Sequence, residues 1–193
     1  MGIKRILISL FIAALSTAGV SAQKSGIKTN LIGDLLLSPN IAWEVGLAPK
    51  WTLDTSLEVN FWTVNQHKWK HWVLQPEARY WFCERFIGHF FAFHALAGEY
   101  NFGNINNGIN FLGSDFSNLK DKRYQGWGAG AGIAYGYAHP LNDRWNIEAE
   151  IGIGWIHTRY DIYPCAVCGE KLGSGHHNYF GPTKLALSFV YLF

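Results

Sequence analysis

The residues best suited to chemistry lie near the C-terminus, in Cys165-Ala166-Val167-Cys168-Gly169 followed by His176-His177. Two thiolates separated by two residues, with two imidazoles close behind, form a donor set that could complete a tetrahedral zinc site. In an oxidising compartment the same two cysteines would close a disulfide that pins the tip of a loop. The disulfide Cys165–Cys168 is the preferred reading; zinc held by Cys165, Cys168, His176 and His177, or free thiols, are the alternatives, and no other cofactor is implied. Ser174, Asp161 and both histidines share this stretch, and a serine beside a base could act on a lipid ester. A nucleophile needs its base within hydrogen-bond reach, and nothing in the spacing fixes that. No catalytic residue is therefore assigned and the chain reads as non-enzymatic. His94 and His157 stand alone in strand-like segments and read as structural. Cys83 lies far from the pair and reads as a small buried or interfacial residue.

The elements that must position these residues begin after a leader. Lys4 and Arg5 precede the apolar run Ile6–Leu15, and Val20-Ser21-Ala22 is a small-residue cleavage site. That order is a secretory signal peptide over residues 1–22, leaving a mature domain over 23–193. Gln23 is not a cysteine, which argues against a lipid anchor at the new N-terminus. The leader takes away two of the 16 basic residues and none of the 14 acidic ones, so the mature chain is formally neutral. It has no basic excess to suit nucleic acid. No later segment holds the ~18 consecutive apolar residues of a membrane helix. Nine Trp and 21 Gly, with a single Met, suit an aromatic- and glycine-rich all-β chain instead.

Alternation of apolar and polar residues recurs from end to end, as expected of strands with two different faces. It predicts strands over Ile27–Leu37, Ile41–Leu47, Trp51–Thr63, Trp72–Phe82, His89–Tyr100, Tyr124–Ala138, Trp145–Thr158 and the terminal KLALSFVYLF. Pro76 lies inside the fourth and predicts a bulge. The fifth is apolar on both faces, so its register is open. Asn65–His71, Asn101–Arg123 and Asp161–Pro182 read as loops. Short turns then fall at one end and most long loops at the other, as in transmembrane barrels.

Alternation alone does not say which face points outward. Trp51, Trp81, Trp145, Tyr135 and Tyr137 lie near the short-turn end, and Trp62, Trp72, Tyr124, Trp127 and Trp155 near the long-loop end. Two such groups suit two interfacial girdles. The polar face carries Lys28, Glu44, Asp54, Glu58, Glu77, Arg79, Glu148, Glu150 and Lys184, with a row of glycines in the sixth strand that leaves them room. Eight strands enclose an interior just wide enough for side chains, so these charges read as an ion-paired plug rather than a channel. Acidic residues outnumber basic ones in this set, which calls for water or protonated carboxyls among them. The expected architecture is an all-β, eight-stranded antiparallel up-and-down transmembrane β-barrel of the outer membrane. In hydrocarbon an open sheet edge finds no partner, so the last strand must pair with the first.

SPNIAWEVGLAPKWTLD, HWVLQPEARYWFCERFIGHFFAFHALAGEYN and GPTKLALSFVYLF resemble a family of small uncharacterised outer-membrane proteins of Bacteroidota; QPEARYW and GPTK with the following serine and VY are the specific parts. The resemblance covers nearly the whole mature chain. It implies no activity and no catalytic residue, and at most a cell-surface or attachment context, since some members lie near fimbrial genes. The architecture is similar to OmpA- and OmpX-type barrels, which is an analogy of fold alone. The final Phe193 resembles the signature by which barrel-insertion machinery recognises its clients.

The expected role is therefore structural or surface-interacting. Its partners would be outer-membrane lipid and lipopolysaccharide, the insertion machinery through the Phe193 strand, and a surface protein. The loop NQHKWKH, with Lys68, Trp69 and Lys70, could touch lipopolysaccharide phosphates or anchor a girdle. The rival readings are a loop-borne metal or lipid-modifying site, and a small-solute pore.

Overall fold

A computed structural model describes residues 25–64, 67–103, 110–111, 114–115, 122–164 and 169–193. Eight antiparallel strands form one closed, barrel-like ring in chain order: β1 (Ser25–Asn30), β2 (Asn40–Ala48), β3 (Trp51–Asn60), β4 (His67–Trp81), β5 (Gly88–Gly103), β6 (Arg123–Pro140), β7 (Trp145–Tyr163) and β8 (Gly173–Leu192). β1 closes against β8, from Gly26 opposite Leu192 to Asn30 opposite Ser188. Thr63–Val64 extends the β3 side and pairs with the start of β4. A two-residue ribbon, Asn110–Phe111 with Ser114–Asp115, stands apart from the ring.

The alternation sorts the two faces as the sequence implied. Ile41, Trp43, Leu53, Phe91, Phe93, Ile133, Ile151, Trp155, Leu185 and Phe189 point outward and are exposed, Phe93 to 62%. Lys28, Glu44, Asp54, Glu77, Arg79, Glu148 and Glu150 point inward and are buried. Lys184 is partly buried at the upper edge of this set, and the side chain of Glu58 is 35% exposed.

The wall is uneven. β1, β2 and β3 have 6, 9 and 10 residues, whereas β4 to β8 run from 15 to 20. The five long strands therefore rise as a curved wall past the three short ones. All of this excess is at the end opposite the short turns.

Several boundaries differ from those expected. The first strand stops at Asn30 rather than Leu37, and a short helix α1 (Leu31–Leu35) follows. The Asn30 side chain caps it, accepting from Ile32 N at 3.2 Å. Asn40 Oδ1 accepts from Asn30 N at 2.6 Å, and its amide reaches Asp34 and Asn30 O. Asx side chains that satisfy helix-start amides compete with a strand in this way. Asp161–Pro182, expected as a loop, is mostly strand: β7 and β8 remain paired to Ile162 opposite Gly173.

Pro76 makes no bulge. β4 pairs with β5 in one register on both sides of it, and only the Gln75 and Pro76 positions drop out of that ladder. The ring nitrogen that cannot donate faces β5, while on the β3 side Pro76 sits opposite Thr55 without interruption. The bulge instead falls in β8, where the register shifts between Gly152 and Ile153 opposite Lys184 and Pro182. Cys83 is exposed on a short turn, not buried. The expected leader, residues 1–22, lies outside the described residues.

Candidate functional site

The interior is built in layers. At the short-turn end, Trp81, Phe86, Phe90, Ala92, Ala134, Ala138, Val190 and Leu192 form an apolar plug. Trp81 was expected in a girdle, but its ring is buried inside, 4.6 Å from Phe90 and 6.0 Å from Phe86. Its parity with Arg79 and Glu77 on β4 dictates that side. Phe86 belongs to the β4–β5 turn and holds a left-handed backbone, φ 66°, which is unfavourable for a bulky residue. Burial of its ring and a 2.6 Å hydrogen bond from Asn146 Nδ2 to its carbonyl hold it there. The turn thus folds into the barrel mouth instead of merely joining two strands.

Above the plug sits the charge cluster, centred on Arg79. Its Nε donates to Glu77 at 2.5 Å, Nη1 to Glu44 and Glu148 at 2.9 Å each, and Nη2 to Glu150 at 2.8 Å, with Asp54 at 3.3 Å. Lys28 bridges Glu44 and Glu148 from the opposite wall. Thr52 donates to the second oxygen of Glu44 and accepts from Trp81 Nε1 at 2.9 Å, which ties the cluster to the plug. The Arg79 guanidinium also stacks 4.5 Å above the Phe90 ring. Buried ions cost several kcal/mol each unless paired and hydrogen-bonded, and the planar fork of arginine suits a hub with several carboxylates.

Two glycines of the β6 row, Gly132 and Gly136, receive rings rather than the charged chains expected there. A Cβ on Gly136 would lie 2.3 Å from Phe90 Cζ, and one on Gly132 would lie 2.6 Å from His94 Nε2. His94 bonds Thr183 Oγ1 at 2.9 Å, and Thr183 is presented by the β8 bulge. Lys184 Nζ, 3.7 Å from Glu77, completes this upper layer. Packed side chains thus fill the interior from one layer to the next.

The residues singled out for metal or covalent chemistry are described only in part. Cys165 and Cys168 lie outside the described residues. His176 and His177 are neighbours in β8, so they point to opposite faces: His176 sits opposite Arg159 on the outer face and His177 opposite Thr158 on the inner one. Both imidazoles therefore cannot turn to one ion while the strand stays intact. Ser174 donates to Asp161 Oδ1 at 2.9 Å, and Lys171 pairs with the same carboxylate at 2.7 Å. These contacts hold the Asp161 carboxyl below the usual carboxylate range, the Lys171 hydrogen bond foremost. Among the described residues no group of three or more potential metal ligands is gathered.

Part of the NQHKWKH segment is strand: Trp69 stacks on Phe102 at 4.5 Å and Lys70 faces outward opposite Asn101. His71 reaches Glu58 at 3.0 Å. His157, in the projecting part of β7, bonds Asn178 at 2.8 Å and lies 6.1 Å from the His176 ring.

A closed barrel with a filled interior matches one known family over nearly its whole length. The chain belongs to the family described as protein of unknown function DUF3575. Its model covers residues 7–193. No curated protein and no solved structure matches the chain. In this DUF3575 protein Asp161, Ser174, His176 and His177 lie on the projecting β7–β8 hairpin, with Ser174 bonded to Asp161. The densest polar constellation is the Arg79 cluster, whose members the alternation had identified. The plug residues Phe86 and Phe90, the linking Thr52 and the bulge residue Thr183 were not identified, although the parity of Trp81 and Thr52 with their strand neighbours carried the signal.

Proposed function

We propose that this DUF3575 protein is a non-enzymatic outer-membrane barrel with a sealed lumen, and that the projecting wall of β4 to β8 gives it a surface-interaction role. The observation that carries the reading is the inverted arrangement of the two faces. Charges are buried within, while Ile, Leu, Phe and Trp rows are exposed without. A soluble barrel turns its apolar face inward; a membrane barrel turns it toward lipid. On β7 the outward residues from Trp145 to Trp155 are apolar and bounded by indoles. Ten residue steps at ~3.3 Å each span about 33 Å of strand. A tilt of ~45° makes that roughly 23 Å of height, close to the apolar band of such barrels.

The plug and the Arg79 cluster favour a structural or attachment role over a solute pore. The resemblance to Bacteroidota surface proteins gives attachment, including a fimbrial context, its place in this reading. Lipid and lipopolysaccharide would surround the belt, and the Phe193 strand would engage the insertion machinery. The test is fractionation of cells expressing the full chain. Recovery in the outer-membrane fraction after a urea wash is expected, and recovery as a detergent-free soluble monomer would sink the proposal. Purified protein in planar bilayers should give no conductance steps.

A further inference from the structure

On the outer face, directly past the indole of Trp155, the β7–β8 hairpin changes character. Trp155 and Phe180 sit opposite each other and are exposed, and the next outward positions are His157 with Asn178, then Arg159 with His176. Trp127 of β6 is the cross-strand neighbour of Arg159 on the other side. His157, Arg159, Ser174, Gly175 and His176 line an open depression of about 390 Å³. Among the described residues nothing pairs with the Arg159 guanidinium. The nearby carboxylates are already engaged: Asp161 with Lys171 and Ser174, and Glu99, beyond Trp127, with Trp72 Nε1. His157 donates through Nδ1 to Asn178 Oδ1, which leaves Nε2 open.

We infer that this depression binds the phosphate of an anionic lipid headgroup, with Arg159 as the principal ligand, His157 and His176 flanking it, and the acyl chains lying over Trp155 and Phe180. An open guanidinium offers the planar fork that phosphate oxygens accept, and a flanking imidazole adds a ring N–H donor. Free phosphate would gain only the polar half of the site. A lipid gains the apolar half as well, because the cationic group sits on the edge of the exposed belt at the depth where headgroups lie.

This inference rests on the membrane reading above, and the test separates the two. The full chain is reconstituted in phosphatidylcholine nanodiscs doped with either a diphosphorylated acyl-disaccharide lipid or the same lipid without phosphate. Insertion is read from heat-modifiable gel migration, and bound lipid from native mass spectrometry after release. Wild type should retain the phosphorylated lipid at least five-fold over the dephosphorylated one. Arg159→Gln with His176→Gln should abolish that preference, while Lys70→Gln, elsewhere on the rim, leaves it intact. An inserted protein that retains both lipids equally, a preference unchanged in the double variant, or displacement of the lipid by millimolar inorganic phosphate overturns the inference and leaves the membrane reading standing. A wild-type chain that never inserts overturns both.

Discussion

Ser25 and Phe193 exchange both backbone hydrogen bonds, Ser25 N to Phe193 O at 3.0 Å and Phe193 N to Ser25 O at 2.9 Å. The seam of the ring is thus fastened by the first residue of β1 and the residue that follows β8. In hydrocarbon an unpaired backbone group finds no water to replace its partner, and each such bond contributes about 0.5–1.5 kcal/mol net. Deleting Phe193 removes both. The gel transition from folded to heat-modified migration should fall by several degrees in the deletion, and Phe193→Leu, which retains the backbone pair, should stay close to wild type.

Arg79 is the charge on which five carboxylates depend. Arg79→Met leaves Glu44, Asp54, Glu77, Glu148 and Glu150 with Lys28, Lys184 and His94 for compensation. Removing one partner from a buried ionic set costs about 3–5 kcal/mol, and the urea midpoint of the refolded protein should drop accordingly. Arg79→Lys should lie between the two, since a single ammonium keeps the charge but cannot span acceptors on several strands. An unchanged midpoint for Arg79→Met would mean that the cluster does not hold the barrel together.

Gly136 and Phe90 test the packing of the plug. A Cβ at Gly136 meets Phe90 Cζ at 2.3 Å and the Ala149 carbonyl at 2.9 Å. Overpacking of this kind costs about 1–3 kcal/mol. Gly136→Ala should destabilise by that order in urea unfolding, and adding Phe90→Leu should return part of the loss. Strict additivity of the two would show that they do not touch.

How far the sequence carried depended on whether a residue's environment left a period of two. The outer rows from Ile41 to Phe189 and the inner charges did, so strand number, ring closure and the two faces were legible. β5 was ambiguous for a physical reason: Phe90 and Ala92 fill the plug while Phe91 and Phe93 face outward, so neither face is polar. β1 was overextended because Leu35 and Leu37 continue its apolar pattern, whereas the Asn30 side chain, a local hydrogen-bonding choice, starts a helix instead. Gly173–Pro182 looked like loop because glycine and polar side chains dominate it, with Phe180 alone marking the outward apolar face. The depression around Arg159 was invisible for the same reason: His157, Arg159 and His176 come together only once the hairpin is known to stay paired above the belt.

The projecting hairpin should loosen on acidification, and the direction follows from Asp161. Its carboxyl is held below the ordinary range by the Lys171 hydrogen bond and then by that of Ser174. A depressed carboxyl contributes stability that is complete above its unfolded value and drains away as pH falls through the folded one. The contacts are solvent-exposed, so the effect is local to the end of the hairpin and screened by salt. Amide exchange of Leu172, which donates to the Ile162 carbonyl at 2.8 Å, should therefore be steady from pH 7 to about pH 5 after correction for intrinsic rates. It should accelerate below that, and more at low salt. In Asp161→Asn exchange should start faster and lose this acid-dependent step, whereas Glu99→Gln, on the far side of Trp127, should keep it. An acid step that persists in Asp161→Asn would assign the loosening to another group.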